Sequence, residues 1–160
     1  MLTVRILCVG KMKEKFYADA VSEYKKRLSN RVRLEIVEVK DRPAPDNLSP
    51  AGEKAVRDAE GEQILKAISP NDYVIALAIA GRRMDSPAFA RELQNLMNAG
   101  KSRIVFVIGG SLGLSDAVLK RADEKLSFSD FTFCHQLMRV ILLEQIYRAV
   151  KINANESYHK

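Results

Sequence analysis

No apolar run in this 160-residue chain approaches the roughly 20 residues of a membrane span. Its first residues, MLTVRILCVGKMKEK, lack the basic start and long apolar stretch of a signal peptide. Only two cysteines occur, Cys8 and Cys134, which make neither a disulfide framework nor a zinc spacing, so no metal is expected. These absences read as a cytoplasmic protein. There is no internal repeat, no low-complexity segment and no interdomain linker, so residues 1–160 are expected to form one domain, long enough to bury a proper core. The usual nucleic-acid tails are missing too: no Lys/Arg block, no RGG tract, no RNA-recognition pattern of alternating aromatics.

What is present is basic. Lys and Arg number 26 against 20 Asp and Glu, a net charge of +6, which favours an anionic partner such as nucleic acid or simply gives a basic solvated surface. Without a basic tail, any RNA must bind to the folded surface.

Strand-like and helix-like segments alternate. Residues 3–9 are short, apolar and β-branched, and 14–28 set Phe16, Ala20, Val21, Tyr24 and Leu28 at helical spacing. Residues 32–39 alternate as a half-buried strand, and 40–50 hold three prolines and form a loop. Ser49 followed by Pro50 is a helix start, running to about Ile68 across two glycines. Residues 73–79 and 104–108 are continuous apolar runs, hence buried strands. Ser86-Pro87 starts a second helix to about Met97, and Ser115 can cap a short one to Arg121. Residues 125–133 are expected to be extended, 135–152 to form the longest helix, and the polar ending to fray. The order predicts an α/β fold: a parallel sheet with helices on both faces.

Four places invite chemistry. The glycine turn Gly109-Gly110-Ser111-Leu112-Gly113 follows a buried strand, but matches neither the dinucleotide G-x-G-x-x-G nor the P-loop spacing. It is either a ligand loop at the carboxyl end of the sheet or a tight turn needing positive φ. IAGRRMDS (79–86) follows the other buried strand and can meet the first loop at one sheet edge. In FSDFTFCHQLMR (128–139), His135 and Arg139 share a helix face, as a site or as cap and surface ion-pair partner, and Cys134 reads as an inert buried thiol. Finally, Tyr158, His159 and Lys160 set an aromatic platform, a near-neutral acid/base and a cation side by side, which suits a nucleobase and its phosphate unless the end is disordered.

GGSLGL, LSFSDFTFCHQLMRVILLEQIYRAVKI and the final YHK, together with VRILCVGK and ALAIAGRRMDS, resemble the RlmH family of small ribosomal RNA pseudouridine methyltransferases, part of the SPOUT class. The resemblance spans essentially the whole chain; Cys134 departs from it, since the family carries proline before the histidine. It implies a carboxy-terminal trefoil knot, which chain-topology rules would not propose. It also implies a homodimer and S-adenosylmethionine-dependent methylation of N3 of a pseudouridine in large-subunit ribosomal RNA. By similarity the cofactor is held by Leu77, Gly109 and the run Phe128, Ser129, Asp130, Phe131, Thr132 and Phe133. Within that chemistry His159 is the candidate proton acceptor and Tyr158 orients the base; Arg139 holds a phosphate or developing oxyanion, and His135 fixes the loop. The competing readings are a non-catalytic ribosome- or RNA-binding factor with the same fold, and a flavodoxin-like nucleotide binder.

Overall fold

The structure, a computed structural model, describes residues 1–160. Five strands, β1 (Leu2–Val9), β2 (Val32–Val39), β3 (Tyr73–Arg83), β4 (Arg103–Ile108) and β5 (Glu124–Ser127), form one sheet in the order β2-β1-β4-β3-β5. Every pairing is parallel. The helices are α1 (Lys15–Leu28), α2 (Pro50–Lys66), α3 (Ser86–Asn98), α4 (Asp116–Arg121) and α5 (His135–Asn153).

Strand periodicity divides the core in two. Val4, Ile6 and Cys8 of β1 and Ile104, Phe106 and Ile108 of β4 point to one face, where α1, α3 and α5 cover them. Leu7, Val9, Val105 and Val107 point to the other, against Ile64 of α2 and Val118 of α4. Both faces of the central strands are thus buried, which explains their unbroken apolar runs.

The expected caps at Ser49 and Ser115 form: their hydroxyls accept from the Gly52 and Val118 amides. The α3 cap is instead Asp85, which accepts from the Ala88 amide at 2.8 Å, while Ser86 donates to Gln145 Oε1 on α5 at 2.6 Å. Gly61 does not interrupt α2; it lets the helix pass against Ser115, whose hydroxyl a Cβ would strike. Of the expected extended run 125–133 only residues 125–127 are strand, the end of β5 (Glu124–Ser127). The carboxy-terminal tail packs back on the fold: Arg31 and Lys151 both pair with Glu156 and hold its carboxyl down at about 2. α5 lies between α1 and α3 with Leu142, Leu143 and Ile146 fully buried, while Leu137, Val140, Ile141 and Val150 are half-buried.

β3 runs four residues past its expected end. Leu126 of β5 pairs with both Leu77 and Arg82, so residues 78–81 bulge out of the ladder. Gly81 closes that bulge against the β5 backbone: a Cβ there would lie 2.7 Å from the Leu126 amide nitrogen and the Lys125 carbonyl carbon. Gly81→Ala is therefore expected to cost about 2 kcal/mol or more, read by denaturant unfolding, because backbone must move to admit one methyl.

Candidate functional site

The carboxyl ends of β3, β4 and β5 open onto a cavity of about 620 Å³. The bulge contributes Leu77, Ala78 and Ile79; the β4 loop contributes Gly109 to Leu114; the segment after β5 and the start of α5 supply the remaining wall. Apart from His135, no lining residue carries an ionisable acid or base except the Cys134 thiol. The walls are mostly apolar, and the polar partners on offer are backbone groups, Ser111, Ser127, Ser129 and Thr132.

The glycine turn is built by its own closure. Gly113 donates its amide to the Gly110 carbonyl at 3.1 Å and adopts φ +85°, and a Cβ on Gly109 would lie 2.8 Å from the Gly113 carbonyl carbon. The tight-turn reading is met, and the turn forms part of the cavity wall. Behind it stands Glu60 of α2, whose Oε2 accepts from the Arg42 amide at 3.0 Å and whose Oε1 would sit 3.1 Å from a Cβ on Gly110. Burial pushes this carboxyl above its ordinary range. Sequence reasoning missed Glu60; the only local signal was a Glu beside Gly61 within a helix.

Leu77, Gly109, Phe128, Ser129, Phe131, Thr132, Phe133 and His135 all line the cavity. Asp130 does not line it and pairs with Arg83. Leu114, Leu126, Cys134 and Met138 also line it and had not been singled out as wall residues. Cys134 is exposed, contrary to expectation: its sulfur caps α5, accepting from the Leu137 amide at 3.4 Å, and lies 3.7 Å from the Tyr17 hydroxyl. That amide hydrogen bond holds the thiol below its ordinary pKa. A sulfur cap thus occupies the position where proline was expected.

Arg139 needs correction. It is 2% exposed, and its guanidinium donates to Glu38 Oε2 at 2.7 Å and to the Val9 and Gly10 carbonyls at 3.0 and 2.7 Å. Its terminal nitrogens are committed to the ends of β1 and β2, so in this arrangement it holds no phosphate or oxyanion. Tyr158 and His159 are also not where the cavity is. Tyr158 stacks edge-on with Tyr147 at 5.0 Å, its hydroxyl donates to Glu144 Oε1 at 3.2 Å, and Arg148 lies over its ring. His159 Nδ1 is 3.2 Å from Arg148 Nη1. Along α5, position 148 is roughly 20 Å from His135 at 1.5 Å per residue.

A parallel α/β sheet with an apolar cavity at its carboxyl edge, walled by glycine turn and backbone, defines a small-molecule cofactor domain with the ligand outside the strand ends. The family described as "Predicted SPOUT methyltransferase" matches residues 2–159. An Exiguobacterium protein named ribosomal RNA large subunit methyltransferase H is 55% identical over 99% of this chain and 100% of its own length. One of the same name from Lactobacillus delbrueckii subsp. bulgaricus is 53% identical over the same shares. The structure of a probable methylase family protein from Haemophilus influenzae matches 98% of this chain and 70% of its own, with a TM-score of 0.57 at 16% identity, a likeness of fold. The chain belongs to the SPOUT methyltransferase family.

A methyltransferase family implies a methyl donor of the S-adenosylmethionine type, and the cavity fits one. Its volume suits a drug-sized ligand. Apolar walls suit a purine, and Ser111, Ser127, Ser129 and Thr132 line the cavity beside the glycine turn as polar partners for its edges. His135 Nδ1 is buried there without a hydrogen-bond partner, a donor or acceptor held for something else.

Two expectations follow from this site. Arg139→Met removes a buried cation from Glu38 and two carbonyls and should lower unfolding free energy by about 3 kcal/mol in denaturant titration. Burial and the nearby Arg139 hold the His135 pKa below 6.5, so the folded protein binds this proton less readily than the unfolded chain. Stability should be complete above pH 6.5 and fall as the pH drops through the lower folded value, and His135→Gln should flatten that limb of the pH–stability curve.

Proposed function

We propose that this chain uses S-adenosylmethionine to methylate N3 of a pseudouridine in large-subunit ribosomal RNA, in the cytoplasm and as a homodimer. The full-length likeness to relatives named ribosomal RNA large subunit methyltransferase H supports the substrate class. The single observation that carries the chemistry is the largely uncharged, backbone-walled cavity at the carboxyl sheet edge. The residues proposed to hold the cofactor are Leu77, Gly109, Phe128, Ser129, Phe131, Thr132 and Phe133, with Asp130 acting from outside through Arg83. The trefoil knot implied by the family belongs to the same carboxy-terminal segments.

The bound cofactor supplies an electrophilic methyl on sulfonium, so the protein must place the acceptor nitrogen and manage one proton. Arg148 can only donate, so His159 Nδ1 accepts from it and Nε2 is the ring nitrogen left to face the uracil ring. Donating from Nε2, His159 suits a carbonyl oxygen where charge grows as N3 gives its proton to a solvent water. Acceptance of the N3 proton by His159 requires Nδ1 to leave Arg148 first. Tyr158, fixed by Tyr147 and Glu144, presents its ring as the platform for the base. Arg139 acts as a positioning residue, securing the start of α5 and with it His135 at the cavity wall.

The dimer joins the two halves of this machinery. The tail rests on Glu144 and Arg148, roughly 9 and 15 Å along α5 from the cavity-lining Met138, and lines no part of that cavity, so a two-fold partner is the direct route by which Tyr158 and His159 reach a cofactor. Phe131, 79% exposed at the cavity mouth, is an apolar surface available to such a partner.

His159→Ala should leave cofactor affinity within twofold in calorimetry and reduce methyl transfer at least a hundredfold. Gly109→Val, which wrecks the β4 turn, should abolish cofactor binding. An equal mixture of the two inactive chains should regain roughly a quarter of wild-type activity, because half the dimers are hybrids with one intact composite site. No recovery in hybrids of verified composition would place both parts of each site in one chain. Cofactor binding without methyl transfer to ribosomal RNA in the wild type would favour a non-catalytic factor.

A further inference from the structure

The exposed cations are unevenly placed. Residues 22–33 and 147–160 together hold eight Lys and Arg against two Glu, although the net charge of the whole chain is +6. The first segment is the end of α1 and its turn into β2; the second is the end of α5 and the tail. Tertiary packing makes them one corner. Tyr24 and Tyr147 lie 6.2 Å apart, Arg31 pairs with Glu156 at 2.6 Å, and Arg27 lies over both tyrosine rings at 5.4 and 5.7 Å.

Cations in the last turn of α1 also complement the negative end of that helix. This accounts for Lys25, Lys26 and Arg27, but not for Arg31, which lies beyond the helix, or for Lys160. The paired members, Arg27, Arg31, Arg148 and Lys151, meet Glu23, Glu144 and Glu156, whereas Lys25, Lys26 and Lys160 are exposed and form no ion pair. Arg33 alternates to the other face of β2, beside Glu35, and is not part of the corner. The paired arginines are held in place by aromatic faces and carboxylates.

We propose that this corner is the phosphate-docking surface for the stretch of ribosomal RNA that flanks the target nucleotide. The proposal rests on the reading of the chain as a ribosomal RNA methyltransferase. Continuity carries it: the same aromatic and guanidinium stack runs from Arg27 through Tyr147 to Tyr158, so a strand whose base lies on Tyr158 brings its neighbouring phosphates over α1. A polyanion matches the excess charge, and the stacked tyrosines favour RNA over an acidic protein surface.

The test neutralises two unpaired cations that have no part in the tail, Lys25→Gln and Lys26→Gln together. The matched control neutralises Lys66 and Lys120, also exposed and unpaired, in the last turns of α2 and α4. Unfolding midpoints establish that each variant folds; if the double variant does not, the two single variants are read instead. Binding is measured against protein-free large-subunit RNA and against large subunits lacking the modification. The corner variant should bind both at least tenfold more weakly at ~0.1 M salt, with the slope of log affinity against log salt reduced by about 2. Cofactor affinity and kcat at saturating RNA should stay within twofold, and the control should bind RNA within twofold of wild type. Equal losses in corner and control, or no loss in either, would overturn the proposal. A loss on subunits but not on protein-free RNA would also overturn it and assign the corner to a ribosomal protein. Wild-type protein that binds RNA through the corner but methylates nothing would leave the docking surface standing and remove the methyltransferase reading.

Discussion

The guanidinium of Arg139 ties the start of α5 to the carboxyl ends of two paired strands, β1 and β2. It lies inside the protein at the start of α5 and donates to the last carbonyls of β1 and to the Glu38 carboxylate on β2, which also accepts from the Met12 amide. A buried cation needs paired donors, and both terminal nitrogens have them, so the start of α5 is held against the carboxyl edge of the sheet. The loop from Phe128 to Cys134 must then cross the space between β5 and a fixed helix start, and that crossing walls the cavity.

From this anchor the molecule separates its chemistry by polarity. The cavity is largely uncharged and lined by glycine backbone, Leu, Ile and Phe, an environment that binds an organic cofactor through shape and a few directed hydrogen bonds. The charge lies elsewhere, in a network of arginines, tyrosines and glutamates over the outer end of α5. Such a division suits a reaction whose electrophile arrives preformed and whose nucleophile belongs to a polyanion. In the proposed reaction a low-polarity pocket would hold the first, and a cationic, aromatic surface would receive the second. Because the tail lines no part of its own chain's cavity, the proposed dimer enters the functional argument.

Most of the elements were legible from the sequence because the signals are local. Apolar runs at 73–79 and 104–108 marked strands buried on both faces, and Ser49 and Ser115 marked helix starts through hydrogen bonds spanning three residues. Where two local signals competed, the choice lay with neighbours: Asp85 caps α3 because Ser86 is drawn to Gln145 of α5. The polar ending looked like a frayed terminus, and becomes ordered because Glu156 meets Arg31 across 125 residues of sequence. The overlength β3 depends on a glycine whose missing Cβ matters only once Leu126 lies against it.

The sequence by itself determined the alternation of strands and helices, the two-faced core, and the loops that line the cavity, since hydrophobic period and capping act within a few residues. The shared helix face of His135 and Arg139 was equally local and correctly read. Tertiary structure decided what that face meets: His135 enters the cavity wall, whereas Arg139 turns to Glu38 and Val9, which are 101 and 130 residues distant. It also decided that Tyr158 and His159 pack on Glu144 and Arg148 and line no part of the cavity of their own chain. Burial and hydrogen-bond partners at such separations depend on how the sheet is ordered, and no window of neighbouring residues encodes the order β2-β1-β4-β3-β5.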